Sequence, residues 1–218
     1  MSRRAPNLDL APLLGAMADE PADEITTRIL DAAASVLETS GLRRCTVEEI
    51  AERGNVGRTT IYRRFDGRDE IVHAVLAREL RTFLLGVAES VAHLDRLEDK
   101  LVEGFLRGVR TAEDTLLVPL MRREPDLLMF VVGDAAPIMQ LVTGLLVAEL
   151  RRHTGVADED RARHGAEILF RLAVSFVLMP SSTLPLADEA AARTALHQLF
   201  DPFLASALGT GPSSASRA

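Results

Sequence analysis

The sequence predicts an all-α protein. Apolar residues recur every three or four positions in segment after segment, and no stretch alternates apolar and polar residues over the length of a strand. Aromatics make up only 4% of the chain and tryptophan is absent, so the core must be leucine, valine and alanine, a helical palette. With 47% hydrophobic residues in 218, there is enough apolar material for one large or two smaller domains.

Residues 1–22 read as a flexible arm, in which Arg3 and Arg4 have the composition of a groove-entering arm but no fixed anchor. The first helix is expected from about Asp23 to Thr39, with Ile25, Ile29, Ala33, Val36 and Leu37 inward and Gly41 ending it. The most informative stretch follows, residues 46–65, TVEEIAERGNVGRTTIYRRF. Thr46 and Glu49 have capping-box spacing, in which the threonine hydroxyl and the glutamate carboxylate each satisfy one otherwise unpaired amide. Val47 and Ile50 face inward, and Ala51 permits close approach of another helix. Gly54-Asn55 supplies the left-handed residues of a sharp turn, and Val56 plugs the corner. Helical spacing resumes from Arg58 to Phe65, with Ile61 and Phe65 inward and Arg58, Thr59, Thr60, Tyr62 and Arg63 outward. This is a helix-turn-helix whose second helix leaves polar chemistry free.

Charge indicates what that chemistry serves. Between residues 53 and 68, five arginines (Arg53, Arg58, Arg63, Arg64 and Arg68) stand against Asp66 alone, a local balance of +4 in a chain of net charge −7. A basic patch on an acidic protein points to phosphate, hence to double-stranded DNA.

The segment ITTRILDAAASVLETSGLRRCTVEEIAERGNVGRTTIYRRFDGRDEIVHAVL, roughly residues 25–76, resembles the N-terminal domain of the tetracycline-repressor (TetR) family of bacterial transcriptional regulators. Its most specific pieces are RILDAA, TVEEIAERGNV, TIYRRF and RDEI. The resemblance implies a three-helix DNA-binding head, a long fourth helix, and a larger helical domain that binds a small molecule and dimerises. It places Arg58, Thr59 and Thr60 at the major-groove edge, Tyr62 on the DNA backbone, and Arg68 on a phosphate. Thr46, Gly57, Arg63 and Arg64 complete the expected DNA-binding set. Three positions depart from the family pattern. Asn55 stands where glycine is usual, Gly57 where a serine or threonine caps the recognition helix, and Arg64 where an aromatic is frequent.

The expected organisation is therefore arm 1–22, DNA-binding domain 23–68, effector-binding and dimerisation domain 69–208, and disordered tail 209–218. A fourth helix should run from about Gly67 to Ala92, its early Asp69 and Glu70 suiting the positive end of the helix dipole. Further helices are expected over about 95–111, 114–123, 125–133, 135–153, 158–178 and 187–208. From Thr82 onward 18 carboxylates outnumber 13 basic residues, so this part has no electrostatic reason to touch DNA. The resemblance implies that the last two helices of each subunit form a four-helix bundle in a homodimer, which puts Leu169, Leu172, Phe176, Leu196, Leu199 and Phe203 at the interface, although an internal core would give the same stripes. Phe105, Met121, Met129, Phe130, Met139, Thr143 and Phe170 are the candidate lining of a pocket for an apolar or amphipathic effector. Glu103, Arg122 and Gln140 are further polar candidates there.

The remaining observations are exclusions. The five histidines show no metal-binding spacing and the lone Cys45 offers no disulfide, so neither metal nor other cofactor is expected. Cys45 reads as a small buried hydrophobe. No run of about 18 uncharged apolar residues would span a membrane, and Pro6, Asp9 and Pro12 interrupt any signal-peptide core; a cytoplasmic protein is the simplest reading. Nucleotide-binding loops and nucleophile elbows are absent, which argues against an enzyme. The expected function is a ligand-released dimeric repressor on an inverted-repeat operator, with an effector-independent repressor as the alternative.

Overall fold

The computed structural model describes residues 23–124, 127, 137–154, 159–179 and 184–207. The N-terminal arm, the C-terminal tail and the helix expected over 125–133 lie outside the described residues, Leu127 excepted. The ordered elements are α1 (Glu24–Ser40), a 3-10 turn (Leu42–Arg44), α2 (Val47–Gly54), α3 (Arg58–Tyr62), α4 (Arg68–Val91), α5 (Leu97–Ala112), α6 (Leu117–Arg123), α7 (Pro137–Thr154), α8 (Glu159–Leu178) and α9 (Glu189–Ala207). Among the described residues there is no strand, as expected of an all-α chain, and no helix long and apolar enough to cross a membrane.

Local chemistry sets most of these boundaries. Asp23 caps α1, its Oδ1 accepting from the amides of Ile25 (2.9 Å) and Thr26 (3.0 Å). Gly41 ends the helix at φ 74°, where a Cβ would be strained, and donates to the Leu37 carbonyl. Asp188 caps α9 in the same way as Asp23, accepting from Ala190 and Ala191.

The described residues fall into two compact units, each taken here by itself. The first comprises 23–84 with 113–124 and 127, and the second 85–112 with 137–154, 159–179 and 184–207. This differs from the boundary expected near residue 68, because α6 belongs with the head. It buries Val118, Leu120 and Met121, Arg123 donates to the Glu38 carbonyl at 3.3 Å, and Glu124 lies against Gly41. The core of the first unit is Ile29, Ala33, Val36 and Leu37 from α1, Ile50 from α2, Ile61 from α3, and Ile71 and Val75 from α4. Ile25, expected inward, is only half-buried, and Leu30 takes its place.

In the second unit α9 packs on α5 and α8, and α7 packs on α8. Its core joins Val102, Phe105 and Leu106 to Leu169, Ala192, Leu196 and Phe200. Phe105 sits edge-on to both Phe176 (5.3 Å, 77°) and Phe200 (5.4 Å, 79°), the arrangement that aromatic quadrupoles favour. Arg193 of α9 bridges Glu103 of α5 (2.7 Å) and Glu189 within its own helix. Glu103, considered above as a ligand-orienting group, is thus engaged with Arg193.

Candidate nucleic-acid interface

Between α2 and α3 the chain makes a Schellman turn. Asn55 adopts φ 48°, ψ 48°, its amide donates to the Glu52 carbonyl, and the Val56 amide donates to Ala51. Asparagine therefore does the work expected of glycine, through its tolerance of the left-handed region. Gly54 serves a different purpose from the one expected. It is helical and buried, and a Cβ there would meet the Ala32 Cβ at 3.1 Å, so it sets how closely α2 approaches α1. The capping box is half formed. Thr46 Oγ1 accepts from the Glu49 amide (3.2 Å), but the Thr46 amide donates to the Arg44 carbonyl (2.9 Å), which leaves Glu49 to face Arg53 at 3.9 Å.

Helix α3 is shorter than the spacing predicted, ending at Tyr62 rather than Phe65. The Arg64 amide bonds back three residues to Ile61, so the last turn tightens and carries Arg64 towards α1. Arg58, Thr59, Tyr62 and Arg63 are exposed, Tyr62 at 56%, while Thr60 is half-buried. Gly57 caps α3 without a side chain, in extended geometry that serine also adopts, and the nearest atom to a Cβ there is Thr60 Oγ1 at 3.8 Å. Gly57→Ser should therefore add a few tenths of a kcal/mol to stability. Urea unfolding measures this, and an unchanged or lower midpoint would show that the added hydroxyl does not cap α3.

The five arginines counted as a single basic patch have separate fates. Arg53 Nη1 donates to Ser35 Oγ (2.9 Å) and Thr39 Oγ1 (3.4 Å), tying α2 to α1. Arg64 donates to Thr26 Oγ1 and to both oxygens of Asp23, each at 3.2 Å. The Asp23 carboxyl is accordingly held below its ordinary pKa, first by the Thr26 amide and then by Arg64. Arg68 Nε donates to the Cys45 carbonyl and Nη2 to the Leu42 carbonyl, both at 2.6 Å, and Nη1 meets Asp69. These three arginines hold the head together, and Arg68 is engaged inside the protein where a phosphate contact was expected. Arg58 and Arg63 remain outward, Arg58 lying 3.6 Å from Glu48.

Two further cations went unnoticed in the sequence. Arg43 and Arg44 are exposed on the 3-10 turn that enters α2. Their signal in the sequence is the RR pair ten residues before the arginine-rich stretch that begins at Arg53. Cys45, next to them, is fully buried, and burial pushes its thiol up to about 11, so it stays protonated and apolar at neutral pH.

Of the residues assigned to dimerisation, Leu169 and Leu196 lie in the core of the second unit, and Leu172, Phe176 and Phe203 pack against it. Leu199 is exposed at 47%, and Ile168 at 53% joins it as an outward apolar side chain that the sequence stripes did not single out. The rest of both stripes packs within the second unit, and Leu199 is the one expected dimer residue left exposed. Of the pocket candidates, Phe105 and Phe170 are buried in the second unit, Thr143 is half-buried with its hydroxyl donating to the Gln140 carbonyl, and Met121 is buried in the first unit. Met129 and Phe130 lie outside the described residues, and of Met139 only the backbone, within α7, is described. No cluster of potential metal ligands occurs among the described residues.

A tight helix-turn-helix with a polar outward second helix, followed by a separate helical unit, defines a one-component regulator architecture. Residues 29–75 match the family model for bacterial regulatory proteins of the tetR family, and residues 97–202 match the bacterial tetracyclin repressor C-terminal domain. Together the two matches cover well over half of the chain, and the protein belongs to the TetR family of transcriptional regulators. It is 31% identical over 126 residues to the HTH-type transcriptional regulator YvkB of Bacillus subtilis, spanning 57% of this chain and 65% of the relative. It is 39% identical over 92 residues to the HTH-type transcriptional regulator SrpR of Pseudomonas putida, spanning 42% of this chain and 43% of that one. In neither case does the match reach two thirds of the relative's length. The fold is shared with the TetR family repressor AlkX of Dietzia sp. strain DQ12-45-1b, a protein implicated in biodegradation of n-alkanes (TM-score 0.61, 23% identity, 87% of this chain and all of that one). It is also shared with the fatty acid degradation regulator FadR of Bacillus halodurans (TM-score 0.58, 19% identity, 83% and 96%).

Proposed function

We propose that this chain is a cytoplasmic transcriptional repressor that binds an inverted-repeat operator as a homodimer and is released by a small apolar or amphipathic effector. The observation that carries the reading is α3, held rigidly by the Asn55 turn while Arg58, Thr59, Tyr62 and Arg63 point outward. One such helix reads only a few base pairs. Pairing through the outward apolar side chains of α8 and α9, Ile168 and Leu199, would present two of them to half-sites spaced by roughly 34–36 Å or a multiple of it. Arg58, Thr59 and Thr60 are assigned to the major-groove edge, and Tyr62 and Arg63 to the backbone.

The effector is assigned to the second unit, where Phe105 and Phe170 are buried aromatic side chains and Thr143 lies on α7, the helix packed on α8. Because Phe105 is packed between Phe176 and Phe200, a ligand entering there must displace an aromatic contact, and that supplies the differential interaction on which a switch depends. Helix α4 continues from one unit into the other and is the covalent path for the coupling. A coupling of roughly 1–3 kcal/mol is expected, and DNA must then weaken effector binding by the same factor.

Selection of bound sites from a random duplex pool by the purified protein tests the reading. Enrichment of an inverted repeat supports it. Enrichment of a single unrepeated site would remove the dimer, and no enrichment, with or without candidate effectors, would remove sequence-specific DNA binding.

A further inference from the structure

Three of the five arginines in the apparent basic patch are engaged within the head, Arg58 faces Glu48, and Arg63 alone of the five stays outward without an ion pair among the described residues. The 3-10 turn Leu42–Arg44 adds two more outward cations. Both Arg43 and Arg44 are exposed, and neither forms an ion pair with any described residue. Arg68 ties the turn at both ends. Its guanidinium donates to the carbonyl of Leu42, just before the two arginines, and to that of Cys45, just after them. The flanking side chains of Leu42 and Cys45 are buried, at 8% and 0% exposure. The backbone carrying two outward cations is thus clamped at both ends before any ligand arrives, and this lowers the ordering cost of binding.

The position of the turn matters as much as its charge. It runs directly into α2, and the Arg58–Glu48 pair at 3.6 Å sets the first turn of α2 beside the first residue of α3. Glu48 and Glu49 on that first turn would repel phosphate, but Glu48 faces Arg58 and Glu49 faces Arg53. With both carboxylates met, Arg43 and Arg44 leave this end of the helix pair net positive. Thr46, the exposed cap of α2, stands two residues beyond Arg44.

We propose that Arg43 and Arg44 form a sequence-independent grip on the phosphodiester backbone of duplex DNA beside the groove that α3 enters, on a turn held in place by Arg68. The inference rests on the DNA-binding reading and adds to it the source of non-specific affinity. Phosphate contacts fix register without reading bases, so this pair governs how tightly the head holds any duplex, while α3 governs which one it prefers.

The test is equilibrium binding of the full chain to a random-sequence duplex and to the selected site, between about 50 and 200 mM salt. Wild-type binding with a steep salt dependence is the baseline; its absence would remove the DNA reading and this grip with it. Given that baseline, Arg43→Gln with Arg44→Gln should weaken both duplexes to a similar degree, on the order of tenfold, and flatten the logarithmic salt slope by about 1.8, or about 0.9 per lost phosphate contact. The sequence preference should not change. Arg43→Lys with Arg44→Lys should restore most of the slope, since phosphate accepts a point charge. Arg96→Gln with Arg107→Gln, two exposed arginines of the second unit, controls for net charge and should leave the slope unchanged. A glutamine pair that binds like wild type overturns the proposal. So does an equal loss in the charge control, or a loss of binding that tracks a lowered unfolding midpoint.

Discussion

Replacing Arg68 with alanine is expected to lower the stability of the head by about 2–4 kcal/mol, whatever it does to DNA binding. The guanidinium donates two short, charge-assisted hydrogen bonds to the Leu42 and Cys45 carbonyls, and its side chain is 31% exposed, so water replaces those donors only in part. The Leu42 carbonyl keeps the Cys45 amide as a second partner, at 3.3 Å. The Cys45 carbonyl is therefore the group that suffers most. Arg68→Lys separates geometry from charge, because an ammonium keeps the +1 but lacks the planar fork whose Nε and Nη2 each meet one carbonyl. It should recover less than half of the loss. Chemical unfolding monitored by far-UV dichroism measures both variants. Should Arg68→Ala unfold at the wild-type midpoint yet flatten the salt slope of DNA binding by about 1, the brace would be wrong and the phosphate contact implied by the resemblance would be right.

The contrast between those two roles for Arg68 marks what a sequence can and cannot disclose. Helix boundaries were legible to within a few residues because they are set by neighbours in the chain. Asp23 caps α1 through amides two and three residues away, and Asn55 ends α2 through carbonyls three and four residues back. The all-α class and the helix-turn-helix rest on such local signals. The fate of an arginine does not. Arg53 finds Ser35 18 residues away, Arg64 finds Thr26 and Asp23 across 38 and 41, and Arg68 reaches across 23 and 26. These cations are close together in the sequence, but their partners lie earlier in the chain, on α1 and its cap for Arg53 and Arg64 and on the 3-10 turn for Arg68. The same limit made Gly54 look like a turn residue, since the reason for it is Ala32 on another helix. It also hid Arg43 and Arg44, whose importance emerges only once the other arginines are accounted for.

Helices α8 and α9 present that limit as an experiment, because two adjacent residues of α9 should respond in opposite ways. Phe200 is 1% exposed and lies edge-on to Phe105, whereas Leu199 is 47% exposed. Phe200→Ala removes a ring from a closed core and should cost about 3–5 kcal/mol in unfolding free energy, the aromatic contact contributing about 0.5–1.5 of it. Leu199→Asp leaves that core intact, so its direct effect on a single subunit should be small. If α8 and α9 form the pairing surface, however, Leu199→Asp places a carboxylate in an apolar seam, and sedimentation should show monomer at concentrations where the wild type is dimeric. Its unfolding midpoint would then also fall, but only through mass action: the wild-type dimer gains stability with concentration and the monomeric variant does not, so the fall should widen as protein concentration rises. The Phe200→Ala loss would persist across the same range. Leu199→Asp that sediments as a dimer with wild-type affinity would exclude this face from pairing. Ile168 and Leu199 would then be ordinary exposed apolar residues, and the surface that sets the operator spacing would have to be sought elsewhere.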